Sequence, residues 1–428
     1  MIEKKRVAII GGGVTGIAAA QELALNGLSV TIIEKSPYLG GHAARLSCKA
    51  AEACVSCGAC MVQDRLARIS GIEAVHMLSD SRIEYVDRKD GFTLEYRKQP
   101  VCIDIARCDG CGDCLPECPQ SGALQRTHDT TAGPQVLLRP EQCRYFNDQS
   151  CTCCRDACPN NAIELNAVET SGELKVDALL LASGFKPYDP TEKPYGYGRF
   201  PDVITSLDAD RLLLEHGALI RPSDGKAPER IAFIQCVGSR DNRIGHPWCS
   251  KICCGSALRM AGFVLHQRPD TAVTFFYIDI QSFGKDFQTY YDRISEQVRL
   301  VRALPGGIVA AEDGTLQLAY FDTRSNQSIE EPYDMAVLSV GLTPSADSRQ
   351  LARLLDIELT EDGFFKMHDA SPDALPSGIF TAGAALGPMS IAECIESAGK
   401  AAWDIIQYVG CQSSSGCANG APKTKHPF

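Results

Sequence analysis

At 428 residues with 44% hydrophobic content, the chain can bury a large core and is long enough for two or three domains. Its formal charge of −11 is spread along the sequence, which argues against nucleic acid or an anionic membrane as partner. No run of about 18 apolar residues occurs, so no segment reads as a membrane span. Met1-Ile2-Glu3-Lys4-Lys5-Arg6 leads into a strand and a glycine loop, not an apolar export segment. With 21 cysteines, many of them clustered, the thiols are expected to be reduced or metal-bound. The expected compartment is the cytoplasm of an organism with substantial anaerobic metabolism.

The first predicted element is a buried parallel strand, Arg6-Val7-Ala8-Ile9-Ile10, running into Gly11-Gly12-Gly13-Val14-Thr15-Gly16. A helical pattern spans Ile17 to Leu25, and a second strand, Ser29 to Ile33, ends at Glu34 and Lys35. A glycine loop between strand and helix, with an acid about 20 positions on, is the fingerprint of a dinucleotide-binding fold. Gly11 permits the tight turn, Gly13 lets the backbone approach a pyrophosphate, and Gly16 lets helix and strand pack closely. Val14 and Thr15 belong to the same cofactor-binding loop, the helix amino terminus after it faces the phosphates, and Glu34 is placed for a ribose hydroxyl.

Gly40, Gly41 and His42 stand in Pro37-Tyr38-Leu39-Gly40-Gly41-His42-Ala43-Ala44-Arg45, which resembles the second-strand segment of flavoproteins with two dinucleotide folds. Cys48-x5-Cys54-x2-Cys57-x2-Cys60 follows. Four thiols so close suit one cubane, with a partly occupied or redox-active loop as the alternative. Arg82 to Arg97 reads as a hairpin turned at Asp90-Gly91, completing a first FAD-domain part over residues 1–98.

Residues 99–165 carry the clearest cysteine pattern. Cys108-x2-Cys111-x2-Cys114-x3-Cys118-Pro119 is a bacterial ferredoxin signature, and Cys143-x7-Cys151-x2-Cys154-x3-Cys158-Pro159 repeats it with a longer first loop. In such pairs the fourth cysteine of each run ligates the other cluster. Cys108, Cys111 and Cys114 are therefore expected to share a cluster with Cys158, and Cys143, Cys151 and Cys154 with Cys118. Cys153 is the bystander, while Cys102 and Cys394 stand singly in apolar surroundings and read as core.

The chain then returns to the FAD fold over 166–225. Asp177-Ala178-Leu179-Leu180-Leu181-Ala182-Ser183-Gly184 is similar to the strand-plus-A-T-G crossover of the same flavoproteins, with Ala182 and Gly184 by the cofactor. A second nucleotide-type domain is expected over 226–333, opening with the strand Arg230 to Ile234. Its loop is Gln235-Cys236-Val237-Gly238-Ser239-Arg240-Asp241, without the glycines that a nicotinamide dinucleotide needs. Cys236, Cys249, Cys253 and Cys254 stand there instead, reading as a cluster site or as buried structural cysteines. Residues 334–410 form the last FAD-domain part, starting with a strand from Asp334 to Gly341. In Ser377-Gly378-Ile379-Phe380-Thr381-Ala382-Gly383-Ala384-Ala385, Gly383 would meet the phosphates. A core helix runs from Ser390 to Val409, and residues 411–428 have the composition of a disordered tail.

Ile234 to Asp241, Pro247-Trp248-Cys249-Ser250-Lys251-Ile252-Cys253-Cys254, Phe276 to Lys285 and Asp362-Gly363-Phe364-Phe365 together resemble the A subunits of heterodisulfide reductases, as does Ala382-Gly383-Ala384-Ala385-Leu386-Gly387-Pro388-Met389. The resemblance covers residues 5 to about 405. It implies an α/β protein with two Rossmann-like domains of thioredoxin-reductase type, an inserted two-cluster ferredoxin-like domain, and a cluster on Cys236, Cys249, Cys253 and Cys254. The cofactors are then FAD and four [4Fe-4S] clusters, about sixteen irons per chain. The implied role is an electron-transfer subunit that converts flavin electron pairs into single electrons. Its partners would be iron–sulfur, hydrogenase- or dehydrogenase-like, or acceptor-reducing subunits, in a hetero-oligomer that could have a homodimeric core. Electron bifurcation is left open: its practitioners in the family commonly carry a lysine where Met389 stands, while Lys285 matches the F-G-K segment and would steady a reduced, anionic flavin. A self-contained NAD(P)H-dependent reductase and a non-catalytic iron–sulfur scaffold are the alternatives.

Overall fold

Two five-stranded parallel sheets organise the chain. The computed structural model describes residues 4–89, 91–104, 107–120, 122–127, 135–281, 284, 287–366 and 377–413. In the first sheet the spatial order is Ile379–Thr381, Ala178–Leu181, Arg6–Ile10, Ser29–Ile33 and Val75–Leu78. Parallel strands covered on both faces become continuous apolar runs, and Val7 to Ile10 and Ala178 to Leu181 are buried throughout. On one face the helices Val14–Leu25 and Ile391–Ser413 share a core in which Ala18, Ala19 and Ala20 meet Ala398, Ala401 and Ala402, small side chains that let the two axes approach. The antiparallel strands Ser81–Asp87, Phe92–Lys98 and Thr170–Val176 cover the other face, with Phe92, Leu94 and Val176 against Ala8, Leu179 and Leu181.

The second sheet runs Val203–Thr205, Met335–Val340, Arg230–Val237, Ala272–Phe276 and Arg299–Val301. Helices Ser206–His216 and Cys253–Gln267 cover one face. The antiparallel strands Gly307–Ala310, Leu316–Asp322 and Gln327–Tyr333 cover the other. Two expected boundaries shift here. Val203–Thr205 and Met335–Val340, assigned from sequence to the FAD parts 166–225 and 334–410, pair in parallel with each other, and the latter also pairs with Arg230–Val237. Both belong to the second sheet. An apolar run such as Met335 to Val340 suits either sheet, and only its hydrogen-bonding neighbours decide which. The chain crosses between the domains in a two-stranded antiparallel link, Phe185–Pro187 with Leu342–Pro344.

The 99–165 segment leaves the first domain after Lys98 and returns before Thr170, closed by an antiparallel bridge between Ile103 and Ile163. It holds a hairpin, Leu124–Thr127 with Gln135–Leu138, and two short helices, Arg144–Asp148 and Cys153–Asp156. Its small core mixes Ile103, Leu124, Val136, Ile163 and Leu165 with Cys114 and Cys154. So few apolar side chains need covalent or metal staples to hold a fold.

The domains are joined by a buried ion pair between Lys49 and Asp210, each 3% exposed. Lys49 Nζ also donates to the Ser47 carbonyl at 3.0 Å, and the Ser47 backbone and hydroxyl donate to Asp210 Oδ1 at 3.1 and 2.9 Å. Removing one partner strands the other charge, so Lys49→Met is expected to cost about 3–5 kcal/mol. The double change Lys49→Met/Asp210→Leu should recover most of that in chemical denaturation, and a single change without cost would remove the clamp from the account.

Candidate flavin and iron–sulfur sites

Four separated segments meet at the carboxyl end of the first sheet. Gly11 has φ +108°, and a Cβ there would lie 2.3 Å from the Ala182 carbonyl, while one on Gly16 would lie 2.0 Å from the Gly11 carbonyl. Gly13 forms a bridge with Gly40, whose N–H donates to the Gly12 carbonyl at 2.7 Å, and Gly41 packs next to Gly13. Gly383 packs against the Thr15 side chain and donates its N–H to Ser397 Oγ at 2.9 Å. Ala182 is buried, Val14 half-buried, and Met389 half-buried just ahead of the last helix. Glu34 is buried, with Oε2 accepting from the Gly12 N–H at 2.7 Å and Oε1 from the Ser36 N–H at 2.8 Å. Lys35 pairs instead with Asp347. His42 lies with Nε2 3.2 Å from the Phe185 carbonyl, and burial lowers its pKa, favouring the neutral ring.

Space and unmet hydrogen bonding mark where a ligand would lie. Beside Gly13 and Gly184 nothing comes within 4 Å of where a Cβ would stand, and the buried Ser183 Oγ has no hydrogen-bond partner. An open glycine backbone at a helix amino terminus and an unpaired hydroxyl fit a dinucleotide's phosphates and polar ring edge.

Asp80 lies at the edge of this region, its N–H donating to the Ser36 carbonyl. Burial raises its carboxyl to about 6, opposed by the Ser79 hydroxyl and Lys98 and reinforced by Glu34. A folded-state pKa above the unfolded value means that the folded chain binds the proton more tightly. Stability is therefore lost as pH rises through about 4 to 6, by about 2 kcal/mol when partial exposure is allowed for. Asp80→Asn is expected to raise the melting temperature at pH 8 and leave it unchanged at pH 4; equal shifts at both pH values would contradict the assignment.

In the 99–165 segment two narrow cavities sort the cysteines. One is lined by Cys108, Cys111, Cys114 and Cys158, with Ile103, Val136 and Ile163 around them. The other is lined by Cys118, Cys143, Cys151 and Cys154, with Leu124 and Leu138. Each cavity thus takes three cysteines from one run and the fourth from the other. Burial pushes the Cys114 thiol up to about 11, with Cys158, Cys108 and Cys111 adding to it, and the Cys154 thiol up to about 12, with Cys143 and Cys118 adding. Thiols packed this way become thiolates only when a cation replaces their protons, which suits metal binding. Cys158 Sγ also accepts the Ala162 N–H at 3.3 Å. Cys153 is exposed, and Cys102 and Cys394 are buried.

The second domain repeats the theme where its glycine loop is missing. The strand Arg230–Val237 is irregular between Ile234 and Val237, and Cys236 has φ +60°, a conformation that side chains rarely adopt. Cys249 Sγ accepts the Lys251 N–H at 3.3 Å, Cys253 Sγ lies 3.6 Å from the Val340 carbonyl, and Cys254 Sγ 3.9 Å from the Asp279 carbonyl. Burial pushes Cys236 up to about 12, with Cys254 and Cys249 adding and Arg240 opposing. Burial likewise raises Cys253, and Cys254, Cys236 and Cys249 add to it, so all four thiols stand within electrostatic reach. Among the described residues no three His, Cys, Asp or Glu side chains gather around a single-ion site. A cubane spreads its ligands over four irons and uses a wider ring.

Cys48, Cys54 and Cys60 are exposed and Cys57 half-buried, and none of the four lines either cavity of the insert. Their loop is nonetheless held between the domains: Ser47 and Lys49 bind Asp210, Arg259 Nε donates to the Val55 carbonyl at 2.7 Å, and Gly58 packs on Ile391. Lys285 lies outside the described residues. Sequence reasoning passed over Lys49, Asp210 and Arg259, whose partners are distant in the chain. It also passed over Gln235, a polar residue ending an apolar strand, which was a legible signal.

The folds and sites define a frame of two dinucleotide-type domains with added thiol sites. The family of FAD dependent oxidoreductases matches residues 6–98. The T. acidophilum thioredoxin reductase superposes with a TM-score of 0.53 at 15% identity, over 96% of this chain and 100% of that one. LpdA of Mycobacterium tuberculosis gives 0.54 at 15%, over 94% and 72%. These likenesses show the fold. The A subunit of the H(2):CoB-CoM heterodisulfide,ferredoxin reductase of Methanothermobacter thermautotrophicus is 34% identical over 92% of this chain and 62% of its own length. The iron-sulfur A subunit of the CoB--CoM heterodisulfide reductase of Methanocaldococcus jannaschii is 34% identical over 93% and 63%. Over nearly its whole length the chain is similar to these heterodisulfide reductase A subunits, and it spans just over three-fifths of their length.

Proposed function

We propose that the chain is an FAD- and iron–sulfur-containing electron-transfer subunit of a larger oxidoreductase assembly. The observation that carries this is the exchange of fourth cysteines between the two cavities of the insert, beside a flavin-type fold whose nicotinamide loop has been replaced by thiols. Bound FAD supplies electron-pair chemistry and [4Fe-4S] clusters supply single-electron steps. Gly11 to Gly16 with Gly40, Gly41 and Gly383 hold the dinucleotide, Glu34 takes its ribose, and neutral His42 and Phe185 shape the wall near the domain link. Four thiolates in each of the insert's cavities hold one cluster, Cys236, Cys249, Cys253 and Cys254 a third, and Cys48, Cys54, Cys57 and Cys60 a fourth in the interdomain loop.

Partner subunits that deliver or accept electrons complete the assembly, by analogy with relatives named as the A subunits of heterodisulfide reductases. Bifurcation is an extension of this role; Met389 brings no charge to its position. Among the described residues no helix is long and apolar enough to cross a membrane. We assign the protein to the cytoplasm.

One observation favours a second reading, an NAD(P)H-dependent reductase. An open cavity lined by Tyr277, Asp279, Gln288, Tyr291 and Arg302 lies past the carboxyl ends of Ala272–Phe276 and Arg299–Val301, where a dinucleotide's far end would rest. Anaerobically purified protein decides between them. The expected result is bound FAD, about sixteen irons with equivalent sulfide, reduction by dithionite and no bleaching by NADH or NADPH. Rapid bleaching by either nicotinamide would install the second reading.

A further inference from the structure

Among the described residues, the buried side-chain polar atoms without a hydrogen-bond partner are Ser183 Oγ, Gln235 Nε2 and Oε1, and Ser339 Oγ. Ser183 belongs to the flavin region. Gln235 and Ser339 lie in the second domain and are each 1% exposed. Leaving such groups unpaired costs about 1–3 kcal/mol apiece, so a sequence that keeps them there calls for a partner.

Their placement names that partner. Ile231 and Phe233 of the strand Arg230–Val237 face the core shared with helix Cys253–Gln267, while Ala232 and Ile234 face the opposite core. Alternation puts Gln235 on the helix side. Met335 and Val337 face the same helix and Leu338 faces away, which puts Ser339 there too. The two strands are adjacent, with Ile234 opposite Leu338, so Gln235 and Ser339 are neighbours at the carboxyl edge. The helix covering that face begins at Cys253, whose Sγ lies 3.6 Å from the carbonyl of Val340, the residue after Ser339. Cys236 directly follows Gln235.

We propose that the Gln235 amide N–H and the Ser339 hydroxyl donate hydrogen bonds to sulfur atoms of the cluster held by Cys236, Cys249, Cys253 and Cys254, and thereby raise its reduction potential. This rests on the cluster assignment above. Reduction adds one negative charge to the cluster, and sulfur accepts a hydrogen bond more strongly as its charge grows. Two neutral donors therefore stabilise the reduced form more than the oxidised one. The amide orientation follows from the same need, because only its N–H end can donate to sulfur. Neither residue holds iron, so each acts as a tuning residue and not as a ligand.

The test uses the full chain purified anaerobically as wild type, Gln235→Leu, Ser339→Ala, Ser339→Thr and Cys253→Ser, with iron counted and each cluster's midpoint followed by EPR-monitored titration. Cys253→Ser is expected to lose about four irons and thereby identify this cluster's signal. Gln235→Leu and Ser339→Ala should keep their iron and shift that one midpoint downward, each by about tenfold in the one-electron equilibrium, about 59 mV. Ser339→Thr, which keeps the hydroxyl, should hold the wild-type value. Full iron with an unmoved midpoint overturns the proposal, as does loss of the cluster in both Gln235→Leu and Ser339→Ala, which would make them structural supports. If Cys253→Ser keeps all its iron, the cluster assignment itself fails, and this inference fails with it.

Discussion

Gly13→Val is expected to give a folded chain stripped of flavin. Gly13 has φ −73° and ψ −174°, an extended conformation open to any residue, and no atom lies within 4 Å of where its Cβ would stand. The protein loses little by the change. A branched side chain there occupies the space through which the loop backbone would reach the pyrophosphate. Loss of close approach is expected to weaken FAD binding by more than about 100-fold, or about 3 kcal/mol. Gly16→Val should behave oppositely, since a Cβ there would lie 2.0 Å from the Gly11 carbonyl and would break the strand–helix contact. Circular dichroism and flavin absorbance separate the two outcomes. Stoichiometric flavin in folded Gly13→Val would place the cofactor elsewhere.

The second large effect concerns which cysteines act together. Cys118 follows Cys114 in the chain yet lines the cavity of Cys143, Cys151 and Cys154. Cys118→Ser should therefore cost about four irons, and Cys118→Ser/Cys143→Ser still only about four. Cys118→Ser/Cys158→Ser should cost about eight, because these two fall in different cavities. Cys153→Ser should cost none. Electron delivery to any partner should collapse in each cluster-deficient variant. An eight-iron loss in the Cys118/Cys143 pair would mean that each run ligates its own cluster, contrary to the cavities.

Much of this was legible because short-range spacing controls it. The turn at Gly11, the helix after the glycine loop and the acid at Glu34 are consecutive features of one βαβ unit, and the structure forms that unit, its helix starting at Val14, three residues ahead of the expected Ile17. The sorting of the ferredoxin-type runs into two cavities was equally readable, including the exchange of Cys118 and Cys158, because three thiols on tight loops leave their fourth partner to come from outside. The Cys48 to Cys60 loop, by contrast, leaves three of its four thiols exposed, and spacing alone does not say what would enclose them.

Local patterning established the two nucleotide-type folds, the first glycine loop, the missing second glycine loop and the grouping of thiols into runs. Each depends on residues a few positions apart, where backbone geometry allows few outcomes. Folding alone decided that Val203–Thr205 and Met335–Val340 join the second sheet, that Lys49 meets Asp210 across 161 positions, and that Gln235 and Ser339 end on neighbouring strands at the carboxyl edge of that sheet. Such pairings follow from which faces are buried together, and many sequences compatible with the same local elements could have buried them differently.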